Sequence, residues 1–236
     1  MKLGVKQVAA LLEVSEKTVY RWISRSQLPG HKVGAQYRFN RAEVLEWSIV
    51  NKIPVSPDIL IEDEDVNVPP FHESLRKGGI FYRVNGNDVR TVLEQVIGLM
   101  SLPDEVDRDF LLQVLLARES MGSTGVGNGI AIPHTRNPIV MHIVQPLVSL
   151  CFLENLIDFN AIDGRSVHTL FTIVSPSSRA HLQLLSKLSF ALRKGEFAKT
   201  VENQTTREEI LSAAEDFEHS LAGHKSGCAG KRATGL

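Results

Sequence analysis

The stretch that decides the fold and function of this chain is residues 122–134, G-S-T-G-V-G-N-G-I-A-I-P-H. Four of its first eight residues are glycine, which tolerates left-handed backbone and lets another molecule approach closely. The apolar run Ile130-Ala131-Ile132 predicts a short buried strand. Pro133 donates no hydrogen bond and favours extended geometry at the preceding residue, so the strand should end there. His134 is therefore expected at the end of a stiff strand, beside a glycine loop.

An imidazole in that position is placed for surface chemistry, although a tight turn followed by a partly buried histidine is an alternative. To react as a nucleophile, His134 must be neutral, with one ring nitrogen free and the other donating a hydrogen bond. The two cysteines, Cys151 and Cys228, lack the spacing of metal ligands and indicate a reduced, cytoplasmic protein. We therefore expect no metal and no cofactor at this site.

Within this stretch, G-V-G-N-G-I-A-I-P-H closely resembles the active-site segment of enzyme IIA of the mannitol/fructose class of the bacterial phosphotransferase system, including its nitrogen-regulatory branch. The resemblance covers about residues 71–221. It implies that His134 accepts a phosphoryl group from a histidine-containing phosphocarrier protein. The domain would then be a phosphotransferase-type phosphohistidine carrier with a regulatory role.

Two polar residues continue apolar stripes of predicted helices. Arg118 lies one and two turns after Val114 and Phe110, and His181 begins a stripe that leucines continue. A buried charge is costly unless it meets an opposite one, which a phosphoryl group on His134 would supply. The resemblance implies the same two residues, because its members have an arginine before the glycine loop and a second histidine at the start of a later helix.

Both residues have simpler interpretations. Arg118 could form a surface ion pair with Glu119 or Asp107, and His181 could cap its helix. Two hydroxyl-bearing residues of the glycine loop are candidate phosphate ligands or plain turn residues: Ser123 and Thr124.

Residues 1–50 follow the order helix, turn, helix, hairpin, helix, with Ser15 as the predicted cap of the second helix. This plan resembles the winged helix-turn-helix of the MerR/excisionase type. The stretches that carry the resemblance are V-A-A-L-L-E-V-S-E-K-T-V-Y-R-W-I, L-P-G-H-K-V and Y-R-F-N-R-A-E-V-L-E-W. Four lysines and four arginines against four glutamates give this segment a net charge of +4, which favours nucleic acid.

The second helix would enter the major groove of duplex DNA, and the hairpin would contact phosphates. A basic face that binds protein, or only water, is the alternative. The predicted DNA-binding residues are Lys17, Thr18, Arg21, Arg25, Lys32 and Arg38.

The alternation of helical and strand patterns divides the chain into four parts. We predict a small, mostly α winged helix-turn-helix domain at 1–50, an acidic linker at 51–70, an α/β domain at 71–221 and a disordered tail at 222–236. Two nearly continuous apolar runs, 147–153 and 169–174, predict strands covered on both sides, so the α/β domain should be a mixed sheet with helices on both faces. No segment suggests insertion into a membrane.

Together the two domains predict a DNA-binding regulator that accepts a phosphoryl group on His134, with regulatory target proteins as further partners. A plain phosphocarrier in sugar uptake, or a transcription factor that senses a partner by docking without phosphorylation, are the alternatives. One small module makes few contacts, so we expect a homodimer on DNA. For the same reason we expect phosphorylation to reach the DNA-binding half through dimer geometry and not through a direct link, and the acidic, flexible linker argues against rigid transmission.

Overall fold

A computed structural model describes residues 2–56, 68–135, 143–193 and 195–229. The N-terminal domain has three helices and a small antiparallel sheet in the order β1-β3-β2. Its elements are β1 (Lys2–Leu3), α1 (Val5–Leu11), α2 (Glu16–Ser24), β2 (His31–Val33), β3 (Gln36–Asn40) and α3 (Arg41–Val50).

Local sequence explains these elements. The Ser15 hydroxyl accepts a hydrogen bond from the Thr18 N–H and begins α2, as predicted, and Asn40 caps α3 in the same way. Gly34, at φ +62°, makes the turn between β2 and β3. Apolar side chains of the three helices and β3 form one buried core, and the indoles of Trp22 and Trp47 join α2 to α3 with their rings 5.0 Å apart.

The segment after α3 differs from the predicted linker. Ile53 and Val55 pack against the N-terminal core, and the Ser56 N–H donates to the Leu11 carbonyl at 2.8 Å. Residues 51–56 therefore belong with the N-terminal domain. The acidic part of the predicted linker, at 57–67, lies outside the described residues.

The C-terminal domain is a five-stranded sheet between two layers of helices. Its elements are α4 (Phe71–Gly78), β4 (Ile80–Val84), α5 (Val89–Leu99), α6 (Arg108–Ser120), β5 (Gly125–Gly127), β6 (Ile130–Ala131), β7 (Leu147–Ile157), β8 (Val167–Val174), α7 (Ser178–Ala191), α8 (Glu196–Glu202) and α9 (Arg207–Ala229).

The strand order is β4-β7-β8-β6-β5, in a mixed sheet. β4 is parallel to β7 and β6 is parallel to β8, whereas β7 and β8 are antiparallel, with Leu150 opposite Phe171. β7 and β8 lie at the centre of the sheet, and their apolar runs are buried as predicted because helices cover both faces. The predicted fold class is confirmed.

Each face of the sheet has its own apolar core. Helices α5 and α6 cover one face, and α4, α7, α8 and α9 cover the other. Ile49, from α3 of the N-terminal domain, joins the second core, so the two domains pack against each other. Within the described residues, no helix is long and apolar enough to cross a membrane.

Several sequence predictions were wrong in detail. Phe110, which was expected to face inward, is about two-fifths exposed, at 41%. Helix α6 buries a neighbouring stripe instead, through Leu111, Leu115 and Arg118. Helices α4 and α8 were not predicted. The tail predicted to be disordered from residue 222 continues α9 as far as Ala229, and residues 230–236 lie outside the described residues.

Glu218 fixes α9 against the start of α4. Its carboxylate accepts hydrogen bonds from the backbone N–H groups of Phe71 and His72, at 2.8 and 3.0 Å. Lys187 of α7 donates to it at 2.6 Å. Burial by itself would raise the pKa of Glu218, but Lys187 and the two N–H groups outweigh burial and lower it. The ionised carboxylate therefore stabilises the fold.

We expect Glu218→Gln to lower the free energy of unfolding at pH 7 by about 1.5–3 kcal/mol, because charged hydrogen bonds are lost. Urea unfolding followed by circular dichroism measures the change, with Asp216→Asn on the exposed side of α9 as the matched control. Since the folded-state pKa is lowered, the advantage of the wild type is present above the unfolded pKa of glutamate, and it should shrink as the pH falls through the folded-state pKa. An equal effect of the two substitutions would contradict this role.

Candidate functional site

The position of His134 is set by β6, the strand between β8 and β5 in the five-stranded sheet. β6 ends at Ala131, and the chain then continues beside β8, where the Ile173 N–H donates to the Pro133 carbonyl at 3.0 Å. The backbone of His134 itself forms a parallel β-bridge to Ile173 of β8. The imidazole therefore follows a backbone that is paired with the strand beside it, as the sequence predicts.

The glycine loop makes this pairing possible. Gly129 has φ +72°, and its carbonyl accepts hydrogen bonds from the His168 and Thr169 N–H groups at 2.8 and 3.1 Å. A β-carbon on Gly129 would lie 2.3 Å from the His168 ring. Only glycine satisfies both the left-handed backbone and this close approach.

One hydrogen bond defines the chemistry of His134. Nδ1 lies 2.7 Å from the carbonyl oxygen of Ile132, and because a carbonyl can only accept, Nδ1 carries the proton. In the neutral ring, Nε2 is then the nitrogen with a free electron pair. This is the arrangement that a nucleophilic histidine needs.

Arg118 lies directly beside that nitrogen. Its Nε donates to Nε2 of His134 at 3.2 Å, and its Nη1 donates to the Gly122 carbonyl at 2.8 Å. The guanidinium is buried, which excludes the alternative interpretation of a surface ion pair with Glu119 or Asp107. The side chain holds a positive charge at the reactive face of the imidazole.

His181 completes a pair of stacked rings. It lies in the first turn of α7, after the cap residue Ser177, and its ring centroid is 4.8 Å from that of His134 at an interplanar angle of 29°. Helix caps are usually side chains at the position of Ser177, whose hydroxyl accepts from the Ala180 N–H, so His181 is not the cap. The structure thus brings together His134, Arg118 and His181.

A fourth residue, Glu46, was not predicted. It belongs to α3 of the N-terminal domain, and its carboxylate reaches into the site of the other domain. Oε2 accepts from Nη2 of Arg118 at 2.9 Å, and Oε1 lies 3.1 Å from Nε2 of His134. Side chains of all four residues are less than a tenth exposed. The two domains are therefore in direct contact at this site, which was not predicted from the sequence.

The only sequence signal for Glu46 was its position on α3. Ala42 precedes it by four residues and Ile49 follows by three, so an acidic residue occupies a stripe that is otherwise apolar. Such a residue must find a positive partner on whatever covers the helix. Nothing in the local sequence states that the partner is Arg118.

The geometry also bears on metal binding. Glu46, His134 and His181 offer ligand atoms within 4.8 Å of one another. However, the guanidinium of Arg118 contacts both the carboxylate and Nε2, and a cation there would face this positive charge at close range. The site favours an anion.

Cys151 lies in β7, away from this site. Burial raises the pKa of its thiol to about 12, so this cysteine is inert.

The hydroxyls of Ser123 and Thr124 are used by the loop itself. Ser123 donates to the Phe159 carbonyl at 2.5 Å and accepts from the Gly125 N–H, while Thr124 donates to Glu119. None of these three hydrogen bonds involves His134. Their role as phosphate ligands stays a prediction, and it requires these hydroxyls to change partners.

The predicted DNA-binding residues lie on one domain and at its surface. Four of the side chains are exposed in the full chain, and two are partly buried: Thr18, whose hydroxyl contacts Ser15 at 3.0 Å, and Arg38, which donates to Gln36 at 2.7 Å. Tyr20 packs edge-on against Tyr37, which ties α2 to the hairpin. The exposed residues are Lys17, Arg21, Arg25 and Lys32.

His134, with Nδ1 on the Ile132 carbonyl, Arg118 beside its Nε2 and the stacked ring of His181 therefore form one buried cluster. Comparisons with known proteins identify the family to which the domain belongs. Residues 73–216 match the family described as phosphoenolpyruvate-dependent sugar phosphotransferase system, EIIA 2, and residues 3–47 match a helix-turn-helix domain. The chain belongs to this EIIA family and carries the helix-turn-helix domain at its N-terminal side, which confirms the predicted combination.

Among individual proteins, the α/β domain is similar to several nitrogen regulatory proteins. A nitrogen regulatory protein of Pseudomonas aeruginosa is 33% identical over 153 residues, covering 63% of this chain and 97% of that protein. One of Escherichia coli K12 is 33% identical over 121 residues, covering 50% of this chain and 71% of that protein. The crystal structure of nitrogen regulatory protein IIA-Ntr from Neisseria meningitidis has a TM-score of 0.53 at 25% identity, covering 61% of this chain and 97% of that one.

The close approach at Gly129 predicts a stability effect. Gly129→Ala should cost about 2–5 kcal/mol, because a left-handed backbone and a clash with His168 add together. Gly164→Ala is the matched control: Gly164 has φ +66° but no atom within 4 Å of the added methyl group, so it should cost only about 1–2 kcal/mol. Denaturant unfolding measures both, and ¹⁵N NMR of the His134 ring reports whether its hydrogen bond to Ile132 survives. Equal costs would contradict the packing described here.

Proposed function

We propose that this chain is a DNA-binding regulator whose C-terminal domain accepts a phosphoryl group on Nε2 of His134 from a histidine-containing phosphocarrier protein. The observation that carries the proposal is the hydrogen bond from Nδ1 to the Ile132 carbonyl, which leaves Nε2 free beside Arg118. Membership of the EIIA family supports it.

The transfer is a displacement at phosphorus. The electron pair of Nε2 forms the new nitrogen–phosphorus bond while the bond from phosphorus to the donor imidazole breaks, and that electron pair returns to the donor nitrogen. Nδ1 keeps its proton on the Ile132 carbonyl throughout. Such transition states are loose, so positioning and charge stabilisation account for most of the catalysis.

Arg118 and His181 provide that stabilisation. The guanidinium can donate to phosphoryl oxygens from the point where it now contacts Nε2 and Glu46. His181 lies in the first turn of α7, where the backbone N–H groups and the helix dipole favour negative charge. Stacking against His134 limits the rotation of the acceptor ring.

The N-terminal domain supplies the second function. The side chains of Lys17, Arg21, Arg25 and Lys32 are exposed while the domains are packed together, so a DNA duplex can reach them. We infer that α2 enters the major groove and that Lys32 contacts a phosphate, in a homodimer whose half-sites are about one helical turn apart, roughly 34–36 Å. Domains fused in this way favour regulation over sugar uptake, and the nitrogen regulatory proteins among the relatives support nitrogen regulation, although fructose-specific components are similar as well.

The first test is phosphoryl transfer. Incubation with a phosphorylated phosphocarrier should label wild-type protein with one acid-labile phosphoryl group, and mass spectrometry should place it on the peptide containing Pro133 and His134. His134→Ala should not be labelled, and Arg118→Gln should be labelled about 10²–10³ times more slowly, because a donor to the transferred group is lost.

His181→Ala should still bind the carrier but transfer more slowly. The matched control is His219→Ala on the exposed side of α9, which should behave as wild type. Undiminished labelling of His134→Ala would refute the assignment of the acceptor.

The second test concerns DNA. With a duplex selected from a random library, Arg21→Ala should weaken binding by about 1–3 kcal/mol if Arg21 contacts a base. Lys32→Ala should weaken all duplexes alike and reduce the salt slope by about 1. Arg165→Ala, an exposed arginine of the other domain, is the control for charge. If no duplex binds even at low salt, the module binds protein instead, and the docking or phosphocarrier alternatives replace this proposal.

A further inference from the structure

Glu46 occupies the position that a phosphoryl group on His134 would need. Its Oε1 lies 3.1 Å from Nε2, the nitrogen with the free electron pair, and its Oε2 accepts a hydrogen bond from Arg118 at 2.9 Å. A phosphorus atom bonded to Nε2, with three oxygens around it, requires this same space.

The chemistry of the two groups matches as well as their position. A carboxylate and a phosphoryl group are both anions whose oxygens accept hydrogen bonds from the planar fork of arginine. In the structure, Arg118 binds the imidazole through Nε and the carboxylate through Nη2. The same guanidinium would bind phosphoryl oxygens after transfer, so Glu46 holds the arginine in the geometry that the phosphorylated state needs.

The contact belongs to a wider interface between the domains. Ile49, one turn after Glu46, is buried in the core on one face of the C-terminal sheet. Nearby, Arg193 at the end of α7 donates to the Ile53 carbonyl at 2.7 Å, and Lys52 lies 3.5 Å from the side-chain oxygen of Asn128 in the glycine loop. Among the described residues, Ile49 gives this interface an apolar contact, and Glu46 gives it a buried carboxylate that reaches both Arg118 and His134.

Phosphorylation would make that buried contact repulsive. A phosphohistidine carries a charge of about −1.5 to −2, by analogy with other phosphorylated residues, and the carboxylate of Glu46 would have to share the same buried space with it. Arg118 cannot neutralise both anions. Release of α3 from the site removes the repulsion.

The rest of the N-terminal domain would move with α3. The core of that domain joins α1, α2 and α3, and the Trp22–Trp47 contact connects the helix that carries Glu46 to the predicted DNA-binding helix. Loss of the Glu46 contact therefore displaces a whole domain and does not deform it.

We propose that Glu46 acts as an internal substitute for the phosphoryl group, so that docking of the DNA-binding domain and phosphorylation of His134 exclude each other. This rests on the proposed phosphoryl acceptance. The unphosphorylated chain is closed through Glu46, and the phosphorylated chain has its two domains released. The coupling is reciprocal, because whatever favours the docked domain must oppose phosphorylation to the same extent.

The kinetic test compares full-length wild type, Glu46→Gln, Glu46→Ala and the control Glu16→Gln, which removes the same charge from an exposed position on α2. Two donors are used: the phosphorylated phosphocarrier and the small compound phosphoramidate. Both Glu46 variants should be phosphorylated about tenfold faster or more, since even 1.4 kcal/mol of lost docking energy changes the open population tenfold. Glu16→Gln should match wild type.

The small donor distinguishes obstruction of the histidine nitrogen from obstruction of the surface on which the carrier protein docks. If Glu46 blocks the nitrogen itself, phosphoramidate shows the acceleration as clearly as the carrier protein does. Equal rates for wild type and both Glu46 variants would overturn the proposal, and slower rates in the variants would show that Glu46 assists the transfer instead.

A second measurement does not depend on phosphorylation. Small-angle X-ray scattering of unphosphorylated Glu46→Ala and Glu46→Gln should give a larger radius of gyration than wild type or Glu16→Gln, with unchanged circular dichroism. An unchanged radius in both variants would overturn the proposal. If no protein accepts a phosphoryl group but the variants still expand, the proposed function fails while the role of the Glu46 contact stands. If all proteins are phosphorylated at one rate and none expands, the proposed function stands while the role of Glu46 fails.

Discussion

The hydrogen bond from Nδ1 of His134 to the Ile132 carbonyl is the interaction on which the site depends. It fixes the tautomer of the neutral ring, in which Nε2 accepts a hydrogen bond from Arg118 and lies beside the carboxylate of Glu46. The bond exists because the backbone after β6 stays paired with β8 up to His134, and that pairing in turn requires the left-handed glycine at position 129. A constraint on backbone conformation thereby sets the chemistry of a side chain.

The site combines groups that are costly to bury alone. Arg118 and Glu46 are both buried charges, and each is satisfied by the other and by nearby polar atoms. Buried ion pairs contribute little net stability when compared with apolar packing, whereas removal of one partner is strongly destabilising. Such a pair can hold two domains together until another anion binds the arginine. The carboxylate of Glu46 then loses Arg118 as its partner.

The sequence was sufficient where structure follows from local pattern. The glycine loop, the strand and the proline placed His134, and the apolar runs of β7 and β8 predicted the centre of the sheet. Arg118 was predicted to be buried, but from a stripe that included Phe110, which is exposed. Helices α4 and α8 escaped prediction because they are short, and the Gly-rich composition after residue 222 concealed the continuation of α9. The role of Glu46 could not be predicted, because Arg118 lies 72 residues further along the chain and His134 lies beyond it. Only tertiary packing brings these residues together.

The measurement that tests this account most directly is the distance between the two domains before and after phosphorylation of His134. Spin labels on cysteines introduced at the exposed positions Glu16 and Asp216 report that distance by double electron–electron resonance, with Cys228 replaced by serine and the buried Cys151 left unreactive. We expect one narrow distance distribution for the unphosphorylated chain and a longer, broader one for the phosphorylated chain. The same narrow distribution in both states would contradict it.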